Sequence, residues 1–481
     1  MKYEIENIYL NRIGKLADEK GFEAYIVGGY VRDLILGIED TDVDIMVVGD
    51  GIEFAKVVAK EYGKEPDAQY KNFETALVNI DELKLEFASA RKESYERNSR
   101  KPKVEPADLA KDLSRRDFTI NTLAIGLNEK IKGELIDLFN GYDDIKSKII
   151  RTPLEPERTF DDDPLRIMRA IRFASKLNFK IDEKTFESIK KMKARLKEDG
   201  VVSQERITNE FLQILMSEKP SIGLELLFDS GVMDIIFPEI SQLEGVDQRQ
   251  DYHHKNVFYH TLKVVDNISE KTNDVWLRFA ALVHDIAKPR TKKFVDGTGW
   301  TFHGHEELGA RMMKKIFLRM KLPLTKLSYT EKLVRMHLRP IPLAKAEVTD
   351  SAIRRLAAEA GEELEDLLTL CRADITSKNP EKVSKFMSNY EVVEKKILEV
   401  QEKDNLRNFQ SPVRGDEIMS ICGLTPCREV GIIKKKIEEA ILEGEIPNEY
   451  EEAKKYLYKV KDELLKSKNI RQDNSAEIKH I

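Results

Sequence analysis

Apolar and polar positions alternate with two different periods over the first 130 residues, which indicates a mixed α/β domain. Apolar residues recur at helical spacing from Ile5 to Ala17 and from Val31 to Leu36, and a glycine follows each run. Four further runs have the pattern of strands: Ala24–Val27, Asp42–Val48, Thr75–Ile80 and Leu83–Ala88. The polar stretch from Arg91 to Ser114 has almost no periodicity, so we expect a loop there.

Beyond about residue 145 the strand patterns vanish and only helical patterns remain. The first helices are expected at Pro164–Leu177, Glu183–Leu196, Gln204–Met216 and Ile222–Phe228. Two more helical regions follow, from about residue 252 to 379 and from about 381 to 457. A chain of 481 residues is too long for one ordinary core. We therefore expect an α/β head (1–140) followed by all-α parts: a neck (141–245), a third domain (246–380) and a tail (381–481).

Composition limits the cellular setting more than the function. The chain carries three cysteines, too few and too scattered for a disulfide framework, which favours a reducing compartment. We find no charged-then-apolar leader and no apolar run long enough for a membrane span, so we expect a soluble cytoplasmic protein. The net charge of −6 gives no support to nucleic-acid binding, although the distribution of charge matters more than its sum.

A glycine pair joins the first strand to the next helix. Gly28 and Gly29 would let backbone N–H groups approach a phosphate closely, and the helix that follows adds partial positive charge. Arg32 would add a planar set of donors for phosphate oxygens. Taken alone, such a pair is more often a simple tight turn.

Two acidic residues follow the glycine turn on one strand. Asp42 and Asp44 are two residues apart, so both side chains project from the same face. The two carboxylates repel each other unless a divalent cation bridges them, which is the arrangement that two-metal nucleotidyl transfer needs. Mg²⁺ suits a few carboxylates together with phosphate oxygens. Glu86, on an expected neighbouring strand, is a third acid for this set, or a solvent-facing strand residue.

These motifs resemble the class II tRNA nucleotidyltransferase and bacterial poly(A) polymerase family. The segments from Gly28 to Asp33 and from Asp42 to Asp44 carry the resemblance, and three later segments continue it: 115–121, 162–173 and 203–206. The resemblance implies a polymerase-beta-like head, Mg²⁺, and a tRNA substrate extended from ATP and CTP. It also implies that the nucleotide's sugar and triphosphate contact Arg115, Arg116, Asp117 and Asn121. The polar stretch from Arg91 to Ser114 corresponds to a flexible loop of the family.

The start of the expected neck helix offers a way to select bases without a template. Asp163 and Arg166 are three residues apart on one helix face. A carboxylate accepts and a guanidinium donates, so the pair would present an acceptor–donor edge to cytosine or adenine. The resemblance gives this pair the same role and assigns Arg169 and Arg172 to the triphosphate. The alternative makes Asp163 a helix cap. The family pattern usually begins Glu-Asp, whereas Asp162 stands here, which weakens any role for that residue.

Histidines cluster in the third expected domain. Seven of the eight lie between residues 253 and 337, and the His284–Asp285 pair falls in an apolar helix expected at Val275–Lys288. A buried ionisable pair is costly unless it binds something. With His260 before it and Asp374 after it, the order resembles the HD superfamily of metal-dependent phosphohydrolases. His305 and His337 stand where dinuclear members add two histidines. Imidazole and carboxylate ligands suit Mn, Ni, Co or Fe better than Mg²⁺.

The sequence thus predicts an enzyme that adds C, C and A to the 3′ end of tRNA, with a possible HD phosphohydrolase activity. The nearest alternatives are a poly(A) polymerase or a CC-adding enzyme of the same family, because the catalytic carboxylates are common to all. An alternative of another class is an HD nucleotide phosphohydrolase whose head only senses nucleotides. The intact Asp42 and Asp44 pair argues against a non-catalytic RNA-binding protein. We expect no membrane association and no obligate protein partner.

Overall fold

The computed structural model of the protein describes residues 1–94, 103–198, 200–246, 256–343, 349–376, 379–404 and 411–461. The chain divides into two compact units. One comprises Met1–Val246 with Ile316–Pro323, and the other comprises Asp247–Lys315 with Leu324–Ile481. Among the described residues, no helix has the length and apolar character needed to cross a bilayer.

A mixed sheet organises the start of the first unit. In the part of the chain described, seven strands pair in the order β3-β4-β5-β2-β1-β8-β9. The strands up to residue 140 are β1 (Glu23–Val27), β2 (Asp42–Val48), β3 (Ala68–Tyr70), β4 (Thr75–Ile80), β5 (Leu83–Ser89), β6 (Arg91–Ser94), β7 (Lys103–Pro106), β8 (Ala124–Gly126) and β9 (Leu135–Ile136). The central pair β2 and β5 is parallel, whereas β1 is antiparallel to both β2 and β8. The four expected strands are confirmed within one or two residues at their ends.

Helices cover this sheet where apolar side chains recur at helical spacing. They are α1 (Ile8–Lys20), α2 (Gly29–Leu36), α3 (Gly51–Glu61), α4 (Leu109–Ser114) and α5 (Gly141–Ser147). Asn7 begins α1 by accepting from the backbone N–H groups of Tyr9 and Leu10, and Gly21 ends it with φ of 73°. The buried rings of Phe54 and Phe87 pack edge-to-face between α3 and β5. The two expected helices of the head are therefore confirmed.

The expectation of an irregular loop from Arg91 to Ser114 was wrong for its described parts. Strands β6 and β7 pair antiparallel, and α4 follows them. The residues of these two strands are mostly polar and do not alternate with apolar ones. The sequence therefore lacks the two-residue period by which a strand is predicted. The loop residues Tyr95, Arg97, Arg100 and Lys101 lie outside the described residues.

The rest of the first unit is helical apart from one small sheet. Its helices are α6 (Pro156–Asp162), α7 (Leu165–Leu177), α8 (Glu183–Met192), α9 (Gln204–Leu215), α10 (Pro220–Asp229), α11 (Met233–Ile236) and α12 (Pro238–Ser241). Strands β10 (Ile149–Ile150) and β11 (Lys180–Ile181) pair in parallel. The prediction that strands end by residue 145 was therefore wrong, because two-residue strands are too short to leave a periodic signal.

The second unit consists mainly of helices. They are α13 (Val257–Ser269), α14 (Val275–Val283), α15 (Lys288–Thr291), α16 (His305–Met320, its last turn in the first unit), α17 (Leu327–Met336), α18 (Pro340–Leu343), α19 (Asp350–Ala360), α20 (Leu364–Ala373), α21 (Pro380–Asp404), α22 (Gly415–Cys422) and α23 (Arg428–Glu443). Residues 450–461 are also helical. A hairpin of β12 (Lys293–Val295) and β13 (Gly299–Thr301) interrupts them. The helix expected over Val275–Lys288 ends earlier, at Val283.

Short 3₁₀ turns complete the described elements. They are Lys71–Phe73, Thr119–Asn121, Glu129–Ile131, Lys193–Lys197, Leu324–Lys326 and Gly361–Glu363.

Candidate active site and candidate metal centre

Three carboxylates meet on one face of the central strands of the sheet. Strand β2 pairs with β5 so that Asp44 lies directly opposite Glu86. Along β2 the exposed residues Asp42 and Asp44 flank the buried Val43, which places both acids on the same face. Glu86 is also exposed. The structure therefore brings together the three acids that the sequence singled out.

The surroundings of Asp44 raise the pKa of its carboxyl group. Although solvent reaches Asp44, the surrounding protein desolvates it and raises its pKa to about 6. The charge of Arg116 lowers this pKa, whereas Glu86 and Asp42 raise it further. The ammonium group of Lys84 lies 3.1 Å from Asp42. Three carboxylates gathered on one face offer the oxygen ligands that a divalent cation prefers.

The glycine turn after β1 lies directly against this acidic face. Gly28 has φ of 74° and ψ of −132°, a conformation essentially restricted to glycine. A Cβ atom there would stand 2.8 Å from Nη1 of Arg116 and 3.2 Å from Oδ2 of Asp44. Gly29 begins α2. The turn, the acid and the arginine are therefore in immediate contact.

Arg115 and Arg116 are both held by a buried carboxylate. Asp112 on α4 accepts from Nε and Nη2 of Arg115 at 3.0 and 2.7 Å. Its second oxygen accepts from Nε and Nη2 of Arg116 at 3.3 and 3.2 Å. Burial opposes ionisation of Asp112, but the charges of the two arginines outweigh it and lower its pKa. Asp112 thus holds Arg116 next to the acidic face and also pairs with Arg115.

A continuous buried network links three of the sequence motifs. Arg32 donates two hydrogen bonds to Asp33 at 2.8 and 2.7 Å and a third to Asn121 at 2.8 Å. Asn121 donates to Asp117 at 2.9 Å, and Arg169 donates twice to the other oxygen of Asp117 at 2.8 and 2.5 Å. The sequence assigned the guanidinium group of Arg32 to phosphate binding. In the structure this group donates to Asp33 and Asn121 instead.

Asp117 is the electrostatic centre of that network. Burial alone would raise its pKa, but the charge of Arg169 and the hydrogen bond from Asn121 lower it to about 2. The same carboxylate raises the pKa of Arg169, so both partners are charged at neutral pH. The side chain of Arg169 remains about one-third exposed, which leaves part of its guanidinium open to a ligand.

The two members of the proposed base-reading pair have separate partners in the structure. Asp163 accepts from the backbone N–H of Leu165 at 3.1 Å and from Arg206 on α9 at 3.2 Å. Arg166 is buried and donates to the carbonyl groups of Thr159 and Arg115 at 3.3 and 2.6 Å. Asp163 thus contacts the first turn of α7, whose N-cap residue is Pro164 rather than Asp163. Its role with Arg166 in base selection stays a prediction.

The side chain of Arg172 on α7 is partly buried. Its guanidinium lies 2.5 Å from Glu210 on α9 and 4.1 Å above the centroid of the Phe173 ring. Burial lowers its pKa, and the charge of Glu210 works against that shift. The triphosphate role assigned to Arg172 stays a prediction.

The second unit brings together all six residues expected to bind the HD metal. His284 and Asp285 follow directly after α14, and Asp285 lies within 3.2 Å of both His284 and His305. The remaining members are His260, which lies 2.9 Å from Asp374, and His337, whose Nε2 is 3.4 Å from that of His305. Two groups of possible ligand atoms result, and Asp285 belongs to both: His260, His284 and Asp285; and Asp285, His305 and His337.

Hydrogen bonds on the far side of each ring orient these histidines. Nδ1 lies 2.7 Å from a backbone carbonyl in His284, His305 and His337. In His260 it lies 2.8 Å from the hydroxyl of Thr376. A ring that donates from Nδ1 keeps the lone pair of Nε2 for a metal. Within the part of the chain that the structure describes, the buried Nε2 of His284 has no hydrogen-bond partner. The two ligand groups therefore form a candidate site for divalent metal ions.

The electrostatics of the histidine cluster also favour a bound cation. Burial disfavours protonation of His284, but the Asp285 carboxylate outweighs it and raises its pKa to about 10. Burial and the charge of His284 hold the pKa of His337 near 3. The ammonium of Lys288 lies 2.6 Å from Asp285 and, with His284, lowers the pKa of that buried acid. The buried Asp285 thus requires neighbouring positive charge, which a metal ion would also supply.

Sequence reasoning missed several partners at both sites. Asp112 and Lys288 stand three or four residues from residues that it had singled out, so helical spacing was an available signal. Arg206 lay in a recognised segment but was given no role. Glu210 contacts Arg172, and Thr376 contacts His260, each from a distant part of the chain. A local sequence pattern cannot predict such contacts.

Comparison with protein families matches the chain in three places. Residues 24–151 match the poly A polymerase head domain, and residues 178–243 match the probable RNA- and SrmB-binding site of polymerase A. Residues 257–379 match the HD domain. The first and third matches contain the acidic face and the histidine cluster, respectively.

Individual proteins are similar over longer stretches. A multifunctional CCA protein of Neisseria meningitidis is 31% identical over 363 residues, which are 73% of this chain and 82% of that protein. An A-adding tRNA nucleotidyltransferase of Aquifex aeolicus is 41% identical over 273 residues, which are 57% of this chain but only 32% of that protein. A solved tRNA nucleotidyltransferase, complexed with a primer tRNA and an incoming ATP analog, has a TM-score of 0.58 and 29% identity. That comparison covers 80% of this chain and 99% of the solved one.

Proposed function

Because this chain belongs to the tRNA nucleotidyltransferase and poly(A) polymerase family, we propose that it adds C, C and A to the 3′ end of tRNA from CTP and ATP. The Neisseria relative, named a multifunctional CCA protein, supports this reaction. So does the solved similar enzyme with its primer tRNA and ATP analog. The poly A polymerase head and HD domain matches make this a nucleotidyltransferase fused to an HD domain.

The acidic face of β2 and β5 is the observation that carries the proposal. Asp42, Asp44 and Glu86 would hold two Mg²⁺ ions, which when bound would activate the 3′-hydroxyl and neutralise the triphosphate. The turn at Gly28 gives the phosphates room to approach the backbone. Arg116, fixed by Asp112, adds positive charge at the same point.

The remaining residues of the family segments would bind the rest of the nucleotide. The exposed part of Arg169 is available to the triphosphate, and the network of Arg32, Asn121 and Asp117 holds Arg169 in place. Asp163 and Arg166 would then read the base, each with hydrogen-bonding capacity beyond the contacts it makes in the protein. The neck and tail would hold the tRNA through its phosphates and its shape, because an A-form helix hides its bases.

Addition of A alone is a second candidate. It is favoured by the Aquifex relative, which is named an A-adding enzyme and has 41% identity over the matched segment. The carboxylates serve either reaction, so the two candidates differ only in the tRNA ends and nucleotides accepted.

One experiment separates these reactions. The purified protein is incubated with each labelled nucleoside triphosphate and with tRNA that lacks the CCA end, ends in C, or ends in CC. The proposal expects CMP on the first two tRNAs and AMP on the third. AMP addition only to the CC end would establish the A-adding candidate, CMP addition alone a CC-adding enzyme, and long A tails a poly(A) polymerase. No incorporation on any tRNA, with the protein folded, would overturn the proposal.

For the histidine cluster we propose a metal-dependent phosphohydrolase activity. Its support is the convergence of histidine side chains on the buried Asp285, which is common to both ligand groups. Mn, Ni, Co or Fe suits these ligands, and such a metal supplies Lewis-acid chemistry for phosphate ester hydrolysis. We further propose a cytoplasmic location, which the scattered free cysteines support.

A further inference from the structure

The hairpin between the HD motif and His305 displays aromatic rings to solvent. Strands β12 and β13 pair so that Phe294 lies directly opposite Trp300, and their rings meet edge-to-face at 5.2 Å. Direct cross-strand partners share a face of the hairpin. Phe294 is 49% exposed and Trp300 is 37% exposed. Exposed rings side by side mark a contact surface more often than a structural need.

This aromatic face is surrounded by positive charge. The ammonium of Lys292 lies 4.5 Å from the centroid of the Trp300 ring. Residues 289–302 contain three basic side chains (Arg290, Lys292 and Lys293) and one acidic side chain, Asp296. The segment therefore carries a net charge of +2, in a chain whose net charge is −6. A basic surface with stackable rings complements a partner that has both phosphates and flat bases.

The hairpin is anchored to the residues that orient the metal ligands. The hydroxyl of Thr291 lies 3.2 Å from the carbonyl oxygen of Ala287 and 3.5 Å from that of Phe302, so it can donate its hydrogen to either and lies between the two ends of the hairpin. The carbonyl oxygen of Phe302 also lies 2.7 Å from Nδ1 of His305. The aromatic face is therefore built on a fixed base in the second unit.

We propose that the face formed by Lys292, Phe294 and Trp300 binds single-stranded RNA by stacking unpaired bases on its rings. The flanking cations would contact the phosphates. The occupant is a polynucleotide because the charge is spread over several side chains, which matches a row of phosphates better than one anion. This surface is distinct from the acidic face in the head and needs neither nucleotide addition nor metal-dependent hydrolysis.

Tryptophan fluorescence provides a direct test. The protein contains two tryptophans, so Trp276→Phe leaves Trp300 as the sole indole. We expect single-stranded oligoadenylate to quench Trp300 emission and inorganic phosphate to leave it unchanged. AMP should quench only at much higher concentration, since it lacks the further phosphates. Quenching by AMP at the same concentration would instead identify a mononucleotide pocket.

Variants separate stacking from charge. Phe294→Leu keeps an apolar side chain but removes the ring, and should weaken oligoadenylate binding on the order of 10-fold. Lys292→Ala removes the cation beside the Trp300 ring, so it should weaken binding and reduce the slope of log affinity against log salt by about 0.7. Lys314→Ala removes an exposed cation from α16 and should change neither quantity. Asp285→Ala should also retain oligoadenylate binding, even though it should abolish hydrolysis. This variant therefore distinguishes the RNA-binding surface from the metal site.

Three outcomes would overturn the proposal. Absence of quenching at low salt, in a protein with an unchanged circular dichroism spectrum, would remove the RNA site. Equal affinity for duplex RNA would show binding without base stacking. A change in Trp300 emission that follows protein concentration alone would show that the face joins two copies of this chain.

Discussion

The carboxylate of Asp163 accepts a hydrogen bond from Arg206 at 3.2 Å, across 43 residues of sequence. Its other oxygen accepts from the backbone N–H of Leu165, the first residue of α7. Each carboxylate oxygen retains a second lone pair, so Asp163 is fixed in position without losing its capacity to accept from a base. Arg166 is fixed too, by two backbone carbonyl groups. Both side chains are thus held before any base arrives.

Base selection should depend on this pair more than triphosphate binding does. Asp163→Ala and Arg166→Ala should each bring the kcat/KM values for CTP and ATP closer to those for UTP and GTP, by about 5- to 150-fold, since an unpaired buried group costs about 1–3 kcal/mol. The measurement is kcat/KM for all four nucleotides on tRNA ends that accept C or A. Arg206→Lys, which keeps the charge beside Asp163, is the matched control. Unchanged selectivity in both alanine variants would reduce the pair to two structural residues.

Nucleotide addition should require both acids of β2. Asp42→Ala and Asp44→Ala each remove a proposed Mg²⁺ ligand, and loss of several kcal/mol of transition-state stabilisation lowers the rate on the order of 10³-fold or more. Asp40→Asn changes a neighbouring exposed acid but keeps the oxygen that accepts from the backbone N–H of Asp42, and should retain near-normal rates. Near-normal addition by a folded Asp44→Ala protein would remove the two-metal assignment.

The turn at Gly28 should tolerate no side chain. Gly28→Ala places a Cβ atom 2.8 Å from Arg116 and forces alanine into a positive-φ conformation, at a cost of about 1–3 kcal/mol. Both stability to urea and the rate of nucleotide addition should fall. Gly21→Ala is a useful comparison, because Gly21 also has positive φ but has open space around it. That variant should lose stability alone, and equal effects on activity would show that the turn has no special role.

The sequence predicted those parts of the fold and site that depend on local pattern. Alternation of polar and buried residues predicted that Asp42 and Asp44 share one face of a strand and placed Glu86 on a neighbouring strand. Contacts between distant elements, such as Arg172 with Glu210, leave no trace in a single sequence because either partner would look like an ordinary surface charge. The strands β10 to β13 were missed because two or three residues are too few to show a period.

Acid should destabilise the protein partly through Asp117. Its pKa is about 2 in the folded state, below an unfolded value of about 3.9, so its contribution is fully present above pH 4 and is lost as the pH falls toward 2. The expected contribution is about 2 kcal/mol. Asp117→Asn should therefore unfold more easily than the unchanged protein in urea at pH 7, and the difference should shrink between pH 4 and pH 2. A difference that is constant over this range would show that Asp117 stabilises by shape alone.

The two candidate centres should fail independently of each other. Asp285 belongs to both ligand groups of the histidine cluster, so Asp285→Ala should lose bound metal and any hydrolysis of phosphate esters. Nucleotide addition should survive, because Asp42, Asp44 and Glu86 belong to the first unit and Asp285 to the second. Conversely, Asp44→Ala should abolish addition but keep the metal and the hydrolysis.

Both activities are measured on both variants, together with metal content of the purified proteins and circular dichroism to verify folding. Hydrolysis that persists in metal-depleted Asp285→Ala would remove the phosphohydrolase assignment from the cluster. If a folded Asp285→Ala protein lost nucleotide addition, the two centres would be coupled. The histidine cluster would then have to act in the transferase reaction itself, since its metal ligands are separate from the carboxylates of the head.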